Sequence, residues 1–128
     1  MSQAPQHAVS WFEIPVRDLD RAQSFYEAVL GRALRREAMG PQTLAVFPYD
    51  PASGAGGALL QGPNAPAPGP GGAMVYLNAE PSLDAAVQRA LAGGARLVTP
   101  RVDLPEGMGA FAHIQDSEGN CVGLHALA

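Results

Sequence analysis

The chain has 128 residues, a formal net charge of −4, twelve acidic residues and eight arginines, with no lysine. That length suits one domain burying roughly two-thirds of its unfolded surface, and an acidic balance without like-charge runs argues against nucleic acid or an anionic membrane as partner. The missing lysine excludes Schiff-base chemistry and a GxxxxGK phosphate loop, and the lone Cys121 excludes an intrachain disulfide.

The first expected element is a strand over 9–16 containing WFEIPV, an apolar run interrupted by Glu13. A helix follows over 17–31, where Leu19, Ala22, Tyr26, Val29 and Leu30 recur at helical spacing, Asp18 suits an N-cap and Gly31 a C-cap. Strand-like runs come next at 33–38, 43–49 and 57–61. QGPNAPAPGPGG (61–72) is too rich in proline and glycine for helix or ladder and reads as an extended linker. Beyond it the order recurs: a strand at 73–79, a helix at 82–94 with Leu83, Ala86, Val87, Ala90 and Leu91 on one stripe, then strands at 95–99, 110–115 and 121–126. WFEIPV precedes MVYLNA by 63 positions, and Gly31 precedes Gly94 by the same interval. This is a duplicated supersecondary unit rather than a solenoid. No apolar run approaches ~18 residues, and MSQAPQHA lacks the basic region and apolar core of a signal peptide, so a cytoplasmic location is expected.

Alternation along strands sorts the side chains. Phe12, Ile14 and Val16, Val75 and Leu77, Ala110, Ala112 and Ile114, and Val122, Leu124 and Ala126 are expected under the helices. The opposite face then collects Trp11, Glu13, Met74, Tyr76, Phe111, His113 and His125. Aromatic walls with a few polar groups have the composition of a small-molecule cavity; an ordinary second core or a dimer seam has it too.

VRDLDRAQSFYEAVLG (16–31) resembles the first-helix signature of the vicinal oxygen chelate superfamily, the glyoxalase and bleomycin-resistance group, and FAHIQDSEGNCVGLHA (111–126) resembles its last hairpin, with D-x-x-G-N as the turn. The resemblance implies an α+β fold of tandem βαβββ units forming curved sheets around a cavity. The whole of 1–128 would be one such domain, with units at about 8–62 and 73–127, commonly in a homodimer. The superfamily's metalloenzymes carry four ligand positions, which this resemblance places on Trp11, Met74, near Gly57 and on Gly123. Indole has no free lone pair, thioether is soft and glycine has no side chain, so no metal is expected there. A relocated set of Glu13, His113 and His125 would offer a divalent ion two nitrogens and a carboxylate.

Glu13 and His125 are the acid–base candidates, because a carboxylate partner orients an imidazole for general-base work; an ion pair that merely positions strands is the plain alternative. Tyr76 could donate to a ligand oxyanion, and Trp11 could stack on a planar ligand. Met74, Phe111 and His113 would complete the ligand-binding wall. Arg101, in TPRVDLPEGMG (99–109), could meet an anionic substrate from a lid, whereas Cys121 reads as a small buried residue. Two functions remain open: a metal-free protein that holds a small, partly aromatic molecule, as resistance-type members do, or a lyase or isomerase related to lactoylglutathione lyase that uses Glu13 and His125, with or without a relocated metal.

Overall fold

The structure, a computed structural model, describes residues 4–128; the first three residues of the N-terminal stretch read above lie outside that range. Ten elements follow one another: β1 (Trp11–Pro15), α1 (Leu19–Leu30), β2 (Arg35–Met39), β3 (Gln42–Val46), β4 (Gly56–Gln61), β5 (Tyr76–Asn78), α2 (Leu83–Ala92), β6 (Arg96–Asp103), β7 (Ala110–Gln115) and β8 (Cys121–Ala126). They build two mixed four-stranded sheets, ordered β1-β4-β3-β2 and β5-β8-β7-β6, in which the first strand of each runs parallel to its neighbour. The fold is α+β, and the sheets do not close into a barrel. No helix among the described residues is long and apolar enough to cross a membrane.

Local chemistry sets the helix limits. The Asp18 side chain accepts from the Arg21 amide (3.1 Å), and Gly31 closes α1 with a left-handed φ of 67°, a conformation that costs a residue with a Cβ. Ser82 caps α2 through the Ala85 amide (3.2 Å). Each helix lies on one face of its sheet, and the two helices also pack against each other. One continuous core therefore joins Ile14, Val16, Ala45, Phe47 and Leu59 of the first half to Leu77, Ile114, Val122 and Leu124 of the second. Phe25, outside the expected stripe, is buried as well, whereas Leu91 is exposed at the far edge of α2.

Strand limits differ from expectation: β2 (Arg35–Met39) begins later than 33, and β3 (Gln42–Val46) stops short of 49. β5 is only three residues long, because it pairs with β8 from Tyr76 to Asn78 alone, and Met74 precedes it. β1 is likewise shorter than 9–16, at Trp11–Pro15. β6 runs past Pro100 to Asp103, where a break was expected. It is the outer strand of its sheet, where a missing N–H costs no ladder bond, and its pairing with β7 shifts register on either side of Thr99.

The halves are joined by the turn Asp116–Asn120, whose Asp116, Glu118 and Asn120 are the buried polar residues among those described. Glu118 accepts from the Arg17 and Asp18 amides (2.9 and 3.0 Å) ahead of α1, and from Arg21 Nε and Nη2 (2.7 and 3.0 Å). Asp116 accepts from the fully buried Tyr26 hydroxyl (2.5 Å), and Asn120 Nδ2 donates to the Pro15 carbonyl (2.8 Å). Burial and the neighbouring Asp116 carboxylate push the Tyr26 phenol well above its usual value. At the other end of the helix, Arg89 of α2 donates from Nε to the Ala28 carbonyl (2.9 Å) and from Nη2 to the Val29 carbonyl (2.8 Å). α1 thus has a carboxylate at its positive end and a guanidinium at its negative end, both from the second half, and both favoured by its dipole.

Burial alone would raise the Glu118 carboxyl, but the hydrogen bonds from Arg21, the Asp18 and Arg17 amides and Ser117 outweigh it and hold the pKa at about 2, from an ordinary 4.5. A depressed folded pKa means stability that is complete above 4.5 and lost as pH falls towards 2. Such a shift corresponds to roughly 3 kcal/mol. We expect Glu118→Ala to lower unfolding free energy by about 3 kcal/mol at neutral pH and to flatten the acid limb of the stability curve, as measured by urea denaturation across that range. An unchanged acid limb would show that the joint does not depend on this charge.

Candidate functional site

On the side of each sheet away from the helices stand the residues expected there. On the first sheet, Trp11 and Glu13 point outward and Trp11 Nε1 donates to Glu13 Oε2 (3.4 Å). The Tyr49 ring meets Trp11 edge-on at 6.2 Å and lies over Gly56. Farther across this face Leu44, Val46, Ala58 and Leu60 form a small buried cluster, with Ala65 of the linker packed against it.

The second sheet carries the denser constellation. Strand register lines up Tyr76, Gly123, His113 and Thr99 as one rung across β5-β8-β7-β6, with Asn78, His125, Phe111 and Val102 as the next. A Cβ at Gly123 would overlap the Tyr76 ring, so this glycine lets the phenol lie flat across β8. The Tyr76 hydroxyl then reaches His113 Nε2 (2.7 Å), and His113 Nδ1 meets Thr99 Oγ1 (2.9 Å). Phe111 meets Tyr76 edge-on at 5.6 Å and tilts against His113 at 5.1 Å, so the three rings touch one another. His125 Nε2 donates to the Met108 carbonyl (2.7 Å), tying the β6–β7 loop to the sheet. Because a carbonyl only accepts, the proton of neutral His125 sits on Nε2.

Glu13 and His125 are not brought together within the chain. They stand on different sheets, one bonded to Trp11 and the other to a backbone carbonyl. Met74 is exposed just ahead of β5. Arg101 does not reach over a substrate site: its guanidinium is engaged by Asp84 (3.1 Å) and Asp103 (2.9 Å). Cys121 is a half-buried free thiol that shares a cavity of about 430 Å³ with Glu13, Pro66 and Asn120. A second cavity, of about 440 Å³, opens where the halves meet, between Phe12, Tyr49 and Gly56 on one side and Tyr76 and Asn78 on the other, with Arg32 at its rim. Trp11, Phe111, His113 and His125 do not line it; they face outward from the two sheets.

The four positions that the resemblance assigns to metal ligands carry an indole, a thioether and two glycines in this chain. Gly57 must be reassigned: it pairs with Phe12 and shares that residue's helix-side face, so the outward neighbours of Trp11 and Glu13 on β4 are Gly56 and Ala58. Neither supplies a donor, Gly56 lies under the Tyr49 ring, and Gly123 lies under that of Tyr76. Among the described residues, no three His, Cys, Asp or Glu side chains gather closely enough to hold an ion, the set Glu13, His113 and His125 included.

Thr99 and Tyr49 belong to these faces and were missed. Tyr49 lies beyond the end of β3, where strand alternation no longer assigns a face. Thr99 comes opposite His113 only through the register shifts of β6, which leave no mark in the residue pattern.

The Glyoxalase/Bleomycin resistance protein/Dioxygenase superfamily model matches residues 7–124. A glyoxylase/bleomycin resistance protein/dioxygenase domain from Frankia sp. EAN1pec superposes with a TM-score of 0.68 at 22% identity, covering 94% of this chain and 97% of that one. A glyoxalase/bleomycin resistance protein from Albidiferax ferrireducens T118 gives 0.66 at 21% identity, over 94% and 98%. A mutant glyoxalase I from Zea mays gives 0.65 at 20% identity over 91% of this chain, which spans only 45% of the maize protein. A search of curated proteins gave no match. With nearly its whole length matched by the family model and the same two-sheet architecture in these solved structures, the chain belongs to the Glyoxalase/Bleomycin resistance protein/Dioxygenase superfamily.

Proposed function

We propose that this protein is a metal-independent binder of a small, partly aromatic molecule, held against the outward face of β5-β8-β7-β6 in a cytoplasmic homodimer. One observation carries the reading. Tyr76, Phe111 and His113 form a contiguous aromatic platform on the side away from the helices, with Tyr76 49% exposed, whereas Phe25, Tyr26 and Phe47 are buried in the core. Rings grouped this way offer a planar ligand edge and face contacts worth about 0.5–1.5 kcal/mol each beyond area burial. Trp11 and Met74 provide further exposed apolar surface on the same outward side of their sheets. In one chain these faces are open, and a second copy laid over them would turn an open wall into a closed site. His125 stands beside the platform and Glu13 on the other sheet, so an acid–base step shared between them would have to join two copies.

Calorimetric titration with planar aromatic compounds tests the binding. Saturable affinity should fall about five- to tenfold in each of Tyr76→Ala and Phe111→Ala. Affinity untouched by both substitutions would move the ligand elsewhere. Light scattering at micromolar concentration should give twice the chain mass, and a particle of monomer mass would remove the dimer. Protein purified without chelators or added metal should carry no stoichiometric Zn, Ni, Mn or Fe. Metal found at one equivalent and lost in Glu13→Gln or His125→Ala would replace this reading with a relocated metal centre.

A further inference from the structure

The three-residue chain Tyr76–His113–Thr99 has a property that the other histidine of this sheet lacks. His125 donates to a carbonyl, which fixes its Nε2 proton. His113 is instead bracketed by two hydroxyls, and a hydroxyl can both donate and accept. In neutral imidazole only one nitrogen carries a proton, so one hydroxyl donates inward and the other accepts. When the ring takes up a second proton, both nitrogens become donors, both hydroxyls accept, and no internal hydrogen bond is lost. The Tyr76 O–H must then point away from His113, towards whatever lies on the face. Protonating His113 therefore places a positive charge on the aromatic platform and commits the Tyr76 O–H to the outward direction, which neutral His113 allows only with its proton on Nε2.

The groups around His113 leave that charge unanswered within the chain. Gly123 on β8 lies between Cys121 and His125, Tyr76 faces it from β5, and Thr99 from β6. Arg96, on the same strand as Thr99, bonds to Gln115 (3.2 Å), and Arg101 is occupied by Asp84 and Asp103. No ion pair among the described residues includes His113.

Resting on the binding function proposed above, we infer that the site takes aromatic ligands bearing an anionic oxygen. The oxyanion accepts the Tyr76 hydroxyl, and His113 takes up one proton from solvent as it binds. The ligand stays deprotonated and the added proton resides on the imidazole, so no bond in the ligand is made or broken. Thr99 is a positioning residue: it accepts from Nδ1 and keeps the ring turned towards Tyr76.

The probe is para-nitrophenol, whose phenolate absorbs visibly and whose phenol does not, with para-nitroanisole as a control of the same shape and no ionisable oxygen. Titrations at mildly alkaline pH, in two buffers of different ionisation heat, count protons. The phenolate should bind with uptake of about one proton while keeping its phenolate absorbance. Its affinity should fall about tenfold per pH unit wherever free imidazole is neutral and the phenolate predominates. Nitroanisole should bind with no proton uptake. His113→Asn should abolish uptake and weaken phenolate binding about tenfold or more. Tyr76→Phe, which keeps the ring, should reduce phenolate binding to the level of nitroanisole, and Thr99→Val should weaken the phenolate alone, with Thr99→Ser restoring it. Nitroanisole bound normally with a phenolate that takes up no proton, or uptake that survives His113→Asn, overturns the oxyanion assignment and leaves the aromatic platform standing. Failure of both compounds to bind overturns the platform and the assignment together.

Discussion

The structure depends on how the second half grips helix α1 of the first. Each half has a sheet with one helix on it, too little to bury both sides of either helix. Packing α1 against α2 merges the two into one core, and the turn Asp116–Asn120 fixes the docking. The grip is polar at its periphery and apolar at its centre. Glu118 supplies acceptors for amides at the start of the helix that have no partner within it, Arg89 supplies donors for its last carbonyls, and Tyr26 crosses the core to Asp116. Buried carboxylates are costly unless fully bonded, and these are: no buried side-chain donor or acceptor among the described residues lacks a partner. The same requirement orients the halves, since a rotated docking would take Tyr26 from Asp116 and the Arg17, Asp18 and Arg21 donors from Glu118.

That docking places both helices on one side of their sheets and leaves two faces on the other side, outside the core that joins the halves. There aromatic rings lie over glycines of the adjacent strands. Tyr76 lies over Gly123 and Tyr49 over Gly56, each ring occupying volume that a side chain on the adjacent strand would otherwise fill. Restoring a histidine or glutamate at either glycine would require the ring to leave. A side chain at either glycine and the ring above it thus exclude one another, and neither position contributes to the grip on α1.

The legible parts of this molecule were those set by near neighbours in the chain. Helical spacing, the Asp18 and Gly31 caps and the alternation that sends Ile14 inward and Glu13 outward are local properties, and the residues state them directly. The turn at D-S-E-G-N was legible through the family resemblance of the last hairpin. That its carboxylates reach Tyr26 and Arg21, some ninety residues earlier, was not, because an acidic residue in a turn is ordinarily solvated. The expected strand at 95–99 stops before Pro100, whereas β6 continues to Asp103, because a proline's effect depends on whether its strand is central or at an edge, which sequence does not say. Thr99 was invisible for a related reason: a register shift moves a residue from one partner to another without altering its identity.

The contrast between the two histidines of the second sheet shows how much of a site's chemistry resides in the partner rather than in the titrating group. Both project from neighbouring strands onto the same face, and composition alone ranks them equally. A carbonyl against one ring and a pair of hydroxyls against the other give them different freedoms. A second proton on His125 would sit on Nδ1 and leave the bond to Met108 as it is, so that event has no route to the aromatic surface. A second proton on His113 makes both ring nitrogens donors, so Tyr76, the most exposed ring of the platform, must accept from it and turn its own O–H outward. Charge at one point on the sheet is thereby converted into hydrogen-bond polarity at another. The conversion needs Gly123 between them, because only a strand without a side chain there lets the phenol lie across it.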